Sequence, residues 1–183
     1  LDARLNAWRS RPLKQHRYPF LIVDALVVDV RRDQAIRSTG VLIAYGVNEQ
    51  GYREPLDLLV ADSESYASWD ELFKRLKSRG LNSTDLVVSD AHEGLVKAAK
   101  KNFQGASWQR CQVHFMRNVL GHSPRQQRAK IASDLKLIFQ ADDKDTAVQL
   151  AKTFVTKHEK KARKAVDCFE KGFEDALAIL VYP

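Results

Sequence analysis

Cysteine is scarce in this 183-residue sequence: only Cys111 and Cys168 occur, far apart. Two isolated thiols build no disulfide framework, and they fit a reducing, intracellular setting. Long apolar runs are also missing. None approaches the ~18 residues that a membrane-spanning helix needs, and no signal-peptide pattern opens the chain. Repeats and low-complexity tracts are absent, so the length is read as one sizeable core with a helical annex. The chain opens on Leu1 and stops at Tyr182-Pro183, directly after an apolar helical stretch. Both ends read as the limits of a piece excised from a longer protein.

Charge is present in excess of one sign, and unevenly. The net charge is +7. Residues 1–96 hold 13 Lys/Arg against 14 Asp/Glu, whereas residues 97–183 hold 17 against 9. A neutral half followed by a basic half points to an acidic partner, for which a phosphate backbone is the commonest candidate. A solvated basic surface without a partner is the alternative, and charge alone does not choose between them.

The first half reads as strands. Tyr18 to Val30 is apolar and β-branched, with Pro19 at its start, where a missing N–H is tolerable. A polar turn at Arg31–Gln34 leads to a strand around Thr39–Val47. The turn Asn48–Gly51 then leads to another strand around Glu54–Ala61. Ser68 and Glu71 have capping-box spacing ahead of a helix carrying Trp69, Leu72, Phe73 and Leu76, which Gly80 stops. Leu86-Val87-Val88 is a short, wholly apolar strand, and Asp90 with Glu93 is placed to cap a helix over 92–102. A fifth strand covers Ala106–Arg110. Beyond Cys111 the spacing is helical, with Ser123-Pro124 as a helix start and apolar stripes through Ile131–Ile138, Ala147–Val155, Ala162–Phe169 and 173–180. The fold class is therefore α/β. Three antiparallel strands, a helix, a parallel strand, a helix and a fifth strand follow the order of a ribonuclease-H-like mixed sheet, and an all-α insertion follows it. The expected division is 1–118 for the core and 119–183 for a helical insertion truncated at its C-terminal end.

Two carboxylates stand out within that frame. Asp24 interrupts Phe20–Val28, which otherwise reads as a buried central strand. An unpartnered carboxylate there would cost several kcal/mol, so a metal, a water-filled cleft or a pairing Lys or Arg is required. Asp90 ends a buried strand, where open α/β sheets place their ligands, although taken alone a helix N-cap is the more ordinary use. The first and fourth strands are parallel neighbours in this fold, which can bring the two carboxylates together. Such a pair offers hard oxygen ligands to Mg²⁺ or Mn²⁺, and two ions ~3.5–4 Å apart suit phosphoryl transfer. Asp29, five residues from Asp24, falls on the opposite strand face. Asp62 and Glu64 read as helix caps. Cys111 and His114 have a zinc-like spacing, but the remaining candidates show no paired spacing to complete four ligands. Arg110, His114 and Arg117 fit a strand-to-helix junction facing the active cleft or DNA. Lys157, Lys160, Lys161 and Lys164 read first as a solvated helix face and second as phosphate contacts.

Five stretches, in order and nearly contiguous over 18–118, resemble the Mutator-type transposases of bacterial insertion sequences. They are residues 18–26 (YPFLIVDAL), 46–54 (GVNEQGYRE), 62–69 (DSESYASW), 89–95 (SDAHEGL) and 106–118 (ASWQRCQVHFMRN). From 119 to 183 the likeness is compositional. The resemblance implies a DDE-type transposase with a ribonuclease-H-like core and Mg²⁺ or Mn²⁺ as cofactor. It implies metal-assisted hydrolysis at transposon ends, then attack of the freed 3′ hydroxyl on target DNA. Asp24 and Asp90 match the family's first and second catalytic, metal-binding acids, and Cys111 with His114 matches its Cys-x-x-His signature. The third acid, a glutamate in a helix beyond the insertion, has no counterpart here and is expected beyond residue 183. The family's amino-terminal DNA-binding region is likewise expected outside the chain, apart from Leu1–Ser10. The implied partners are transposon-end and target DNA and further copies of the protein, with no membrane, in a bacterial cytoplasm at the nucleoid. The 183 residues alone are expected to be inactive. A nuclease or integrase of the same fold is one alternative, and a catalytically inactive, transposase-derived nucleic-acid-binding module is another.

Overall fold

A computed structural model describes residues 2–32 and 34–182. The chain forms two compact units, residues 1–108 and 109–183.

The first unit begins with helix α1 (Asp2–Ser10) and continues into the strands β1 (Phe20–Arg32), β2 (Ala35–Val47) and β3 (Arg53–Ala61). The short strands β4 (Leu86–Ser89) and β5 (Ser107–Arg110) complete a five-stranded sheet of order β3-β2-β1-β4-β5. The pairs β1–β2 and β2–β3 are antiparallel, and β1–β4 is parallel. This is the α/β mixed sheet, with the strand order, that the ribonuclease-H-like expectation requires. The first hairpin is longer than the hydrophobic pattern suggests, with pairing that continues from Val28↔Thr39 to Arg32↔Ala35. Its polar positions are held across the strands, as where the Ser38 hydroxyl donates to Asp29 at 2.7 Å. The expected turn at 31–34 is correspondingly shorter. Gln34 takes a left-handed φ of 63°, and Asp33 lies outside the described residues.

One face of the sheet is dry. Leu21, Val23, Leu42 and Ala44 join Leu56 and Leu59 in a core with Trp69, Leu72, Phe73, Leu76, Leu95 and Ala98. The helical members belong to α2 (Tyr66–Ser78) and α3 (Glu93–Asn102). Burying each large side chain contributes about 1.5–3 kcal/mol, which is what holds the two helices on the sheet. Gly46 is required by close approach. A Cβ there would lie 2.5 Å from the Tyr18 ring and 2.8 Å from Leu56. The α2 cap differs from the spacing argument: Ser65 is the N-cap, and its reciprocal partner is Ser68 rather than Glu71. Serine supplies both oxygens because the turn brings residues 65 and 68 side chain to backbone in each direction.

Two acids are locked into this framework. Asp57 on β3 is fully buried, 2.8 Å from Arg75, 3.5 Å from Arg79 and 3.9 Å from Arg9, and it accepts the Leu58 N–H. Asp70 on α2 takes Lys74, the Asn102 amide and Lys101, so it ties α2 to α3.

The second unit is helical: α4 (Gln112–Gly121), α5 (Arg128–Phe139), α6 (Lys144–His158) and α7 (Arg163–Gly172). Its core is built on Phe115, Ile131, Leu135, Phe154 and Phe169. Phe115 and Phe154 each pack their rings on Phe169. Ser123-Pro124 does not open a helix directly. The Ser123 hydroxyl bonds back to the Val119 carbonyl, and a 3-10 turn (Arg125–Gln127) precedes α5. The stretch expected as a last helix is two 3-10 turns, Glu174–Ala176 and Ala178–Val181. The sequence pattern puts the boundary after Asn118. The compact units meet ten residues earlier, because Phe115 and Val119 bury α4 in the helical core.

Candidate active site

The other sheet face is where Asp24 emerges. Side chains alternate along β1, so Leu21 and Val23 enter the core while Ile22 and Asp24 face away from it. Asp24 is exposed, so no desolvation penalty forces a partner on it, contrary to the buried-strand reading. Its neighbours on that face, Ile43 on β2 and Ile22 on β1, are half-buried.

Register then relates it to Asp90. The parallel pairing runs Phe20↔Leu86, Leu21↔Val87 and Ile22↔Val88. Asp24 lies two residues beyond Ile22 on β1, and Asp90 lies two residues beyond Val88, just past the end of β4. Asp90 directly follows the end of β4 and is half-buried. It is not the cap of α3. That position belongs to His92, whose Nδ1 accepts the Leu95 N–H at 3.3 Å. Asp90 instead accepts the His92 N–H on Oδ1 at 3.0 Å, an Asx-type turn that fixes one carboxylate oxygen. Asp24 Oδ1 takes the Ala25 N–H at 2.9 Å. Each acid thus has one oxygen engaged by backbone, and no cation is paired with either among the described residues. Nor does any group of three His, Cys, Asp or Glu side chains converge as a metal site among them.

The acids set aside in the sequence lie elsewhere. Asp29 pairs across the hairpin with Ser38. Glu64 is not a cap, since it accepts the Trp69 indole N–H at 3.1 Å and lies 3.6 Å from His92 Nδ1. That nitrogen already accepts the Leu95 N–H, so it has no hydrogen to offer Glu64 and the 3.6 Å approach is proximity rather than a hydrogen bond.

The signature residues fall in the second unit. Cys111 is the N-cap of α4 without a side-chain bond, and both cysteines are free, half-buried thiols. His114 is half-buried, with Nδ1 enclosed and without a hydrogen-bond partner. Arg110 lies over the Phe115 ring, 4.5 Å from its centroid, and packs against Gly172 so closely that a Cβ there would collide with the guanidinium. Arg117 is exposed on α4. Two glutamines beside them clasp the final turns: Gln109 accepts the Ile179 N–H, and Gln112 donates to the Ala176 carbonyl at 2.9 Å. Of the three residues assigned to DNA, Arg117 is thus the most open to a ligand.

Sequence reasoning passes over Ser89, His92 and Trp108. All three stand in the stretches that carry the family resemblance, and a serine directly before the strand-end acid is the available signal.

The family model "Transposase, Mutator family" matches residues 1–183. The transposase for insertion sequence element IS256 in transposon Tn4001 of Staphylococcus aureus is 37% identical over 183 residues, which is 99% of this chain and 47% of that protein. The transposase for IS1081 of Mycobacterium tuberculosis is 39% identical over 148 residues, 81% of this chain and 36% of that one. The chain therefore spans about half the length, or less, of these relatives. Among solved structures, the Drosophila P element transposase strand transfer complex aligns with 67% of this chain and 33% of that one, at a TM-score of 0.39 and 14% identity.

Proposed function

Because the chain belongs to the Mutator family of transposases, we propose that it forms part of a DDE-type catalytic domain and supplies two of the three catalytic carboxylates, Asp24 and Asp90. What supports this reading is that Ile22 and Val88 are paired on parallel strands, with Asp24 two residues beyond the one and Asp90 two beyond the other, and that no cation is paired with either acid among the described residues. Open oxygens on two adjacent carboxylates are the donor set that Mg²⁺ or Mn²⁺ prefers, so the residues present fit such an ion. When bound, it would help activate an attacking oxygen and stabilise the leaving one in phosphodiester hydrolysis and strand transfer. Backbone N–H groups from Ala25 and His92 orient the two acids, and β1 and β4 hold their spacing.

In this reading the whole protein cuts at transposon ends and joins them to target DNA as a homo-oligomer at the bacterial nucleoid. The basic second unit contributes phosphate contacts, with Arg117 the foremost of Arg110, His114 and Arg117. No helix among the described residues is long and apolar enough to cross a membrane. The 183 residues alone, without a third carboxylate at the pair, should bind Mn²⁺ weakly and show little or no strand transfer.

The test is Asp24→Asn and Asp90→Asn in the full-length protein. Each should lower metal-dependent strand cleavage about 10²–10³-fold, with affinity for transposon-end DNA held within about threefold, as expected when DNA affinity resides in phosphate contacts. Cleavage at the unaltered rate by either variant would overturn the assignment. Sequence-specific DNA binding without cleavage by the unaltered protein would point to the inactive binding module instead.

A further inference from the structure

A chain of hydrogen bonds behind Asp90 comes from outside its own turn. The Trp108 indole N–H, on β5, donates to the Ser89 hydroxyl at 2.9 Å. An indole N–H can only donate, so the hydroxyl must be the acceptor there and has its own hydrogen to give. It gives that hydrogen to the Asp90 carbonyl at 2.7 Å. Ser89 is 1% exposed, so no water competes for it. A buried hydroxyl facing a carbonyl without that hydrogen bond would be penalised, which makes the arrangement directional and single-valued.

Its consequence lies at the carboxylate. The Ser89 bond holds the Asp90 peptide plane, and the His92 N–H holds Oδ1. Together they leave Asp90 few torsions through which its carboxylate can swing. Asp24 needs no such support, because it lies within β1, paired with Ile43 of β2. Asp90 follows the last residue of a four-residue strand, where ladder bonding has ended.

We propose that Trp108 and Ser89 are positioning residues that hold the Asp90 carboxylate in register with Asp24, so that the pair takes a divalent cation as a unit. This rests on the assignment of Asp24 and Asp90 as the metal-binding pair. Outer partners of metal ligands typically change metal affinity or activity 10–100-fold. The relay predicts that the loss falls on the metal and spares DNA binding.

The experiment uses the full-length protein, with Mn²⁺ affinity read by electron paramagnetic resonance, cleavage rate followed against Mn²⁺ concentration, and DNA affinity and thermal midpoint measured alongside. Trp108→Phe keeps the ring and removes the N–H, Ser89→Ala removes the relay, and Ser89→Thr keeps the hydroxyl. Trp108→Phe and Ser89→Ala should each weaken Mn²⁺ binding about tenfold, and saturating Mn²⁺ should restore their cleavage rate. Ser89→Thr should stay near the unaltered protein. Should Trp108→Phe fold poorly, Ser89→Ala against Ser89→Thr carries the same comparison. Unchanged Mn²⁺ affinity in Trp108→Phe and Ser89→Ala, or lost cleavage that saturating Mn²⁺ does not restore, overturns the relay. Asp90→Asn separates the two ideas. If it binds Mn²⁺ as well as the unaltered protein, the metal-pair assignment itself has failed and the relay falls with it.

Discussion

Asp57 and Asp24 are both aspartates in strands of the same sheet, yet their surroundings are opposite. Asp57 is fully buried and met by Arg9, Arg75 and Arg79, and Asp70 on α2 is likewise taken up by two lysines and an amide. Asp24 and Asp90 receive backbone N–H bonds and, among the described residues, no cation. The first pair spends its charge on holding the fold. The second keeps it available, at a small cost because Asp24 faces solvent. Burial alone would have nominated Asp57 as the functional acid, whereas its partners show it to be structural.

The comparison is broken most directly at Asp57. Asp57→Ala would remove the buried acid that Arg9, Arg75 and Arg79 share, and because Arg79 keeps its backbone carbonyls and the other two reach solvent, it should cost about 3 kcal/mol, the low end for breaking a buried ion pair. Asp24→Asn should stay within about 0.5 kcal/mol, as surface substitutions do. Urea unfolding of the chain measures both, and near-equal losses would erase the distinction.

A smaller effect should appear with pH. Hydrogen bonds from Lys74, then Asn102, hold the Asp70 carboxyl down to about 2. A depressed folded pKa contributes stability that is complete above the ordinary carboxylate value of ~3.9 and is lost as pH falls through about 2. The stability lead of the unaltered chain over Asp70→Asn should therefore hold at neutral pH and shrink between about pH 4 and pH 2. Urea midpoints across that range that stay parallel would remove Asp70 from the structural class.

The same division applies to cations in the helical unit. Lys157 is paired with Asp134 at 2.7 Å, and Arg163 with Asp167 at 2.8 Å. Burial pushes Asp134 up, but bonds from Lys157 and His158 outweigh it and hold the carboxyl below its usual range. Lys160, Lys161 and Lys164 are exposed, with no ion pair among the described residues. Changing these three to Ala should alter stability by no more than about 0.5 kcal/mol. If they meet phosphates in the full-length protein, the slope of log affinity for DNA against log salt should fall by about 0.9 for each phosphate left without its lysine. An unchanged slope would return them to the solvated face.

Much of this is legible in the sequence. Apolar, β-branched runs between polar turns locate β1, β2 and β3, the spacing of Trp69, Leu72, Phe73 and Leu76 locates α2, and a cap signal locates α3. Those patterns work because each element has one dry face, and a shift by one residue would move every apolar side chain into water. Capping is read less well. Ser68–Glu71 has the right spacing for a capping box, but the chain turns at Ser65, and local geometry rather than spacing selects the cap. The final 3-10 turns read as helix because apolar spacing cannot register the glutamine clasps that shape them. Asp24 stands out in the sequence for a burial it does not have, though its place on β1 is right.

What the linear chain settled was therefore the order and faces of the elements, together with two strand-borne aspartates, since these depend on local periodicity and residue type. Partnership was settled only by the fold. The nearness of Asp24's strand to the one Asp90 follows depends on a parallel register, Ile22 beside Val88, joining residues far apart in sequence. The arginines around Asp57 come from α1's last turn and from α2 with its C-cap, and the indole behind Ser89 comes from β5. A carboxylate's availability depends on what surrounds it in space. Those neighbours are set by packing between distant segments, which no local pattern records.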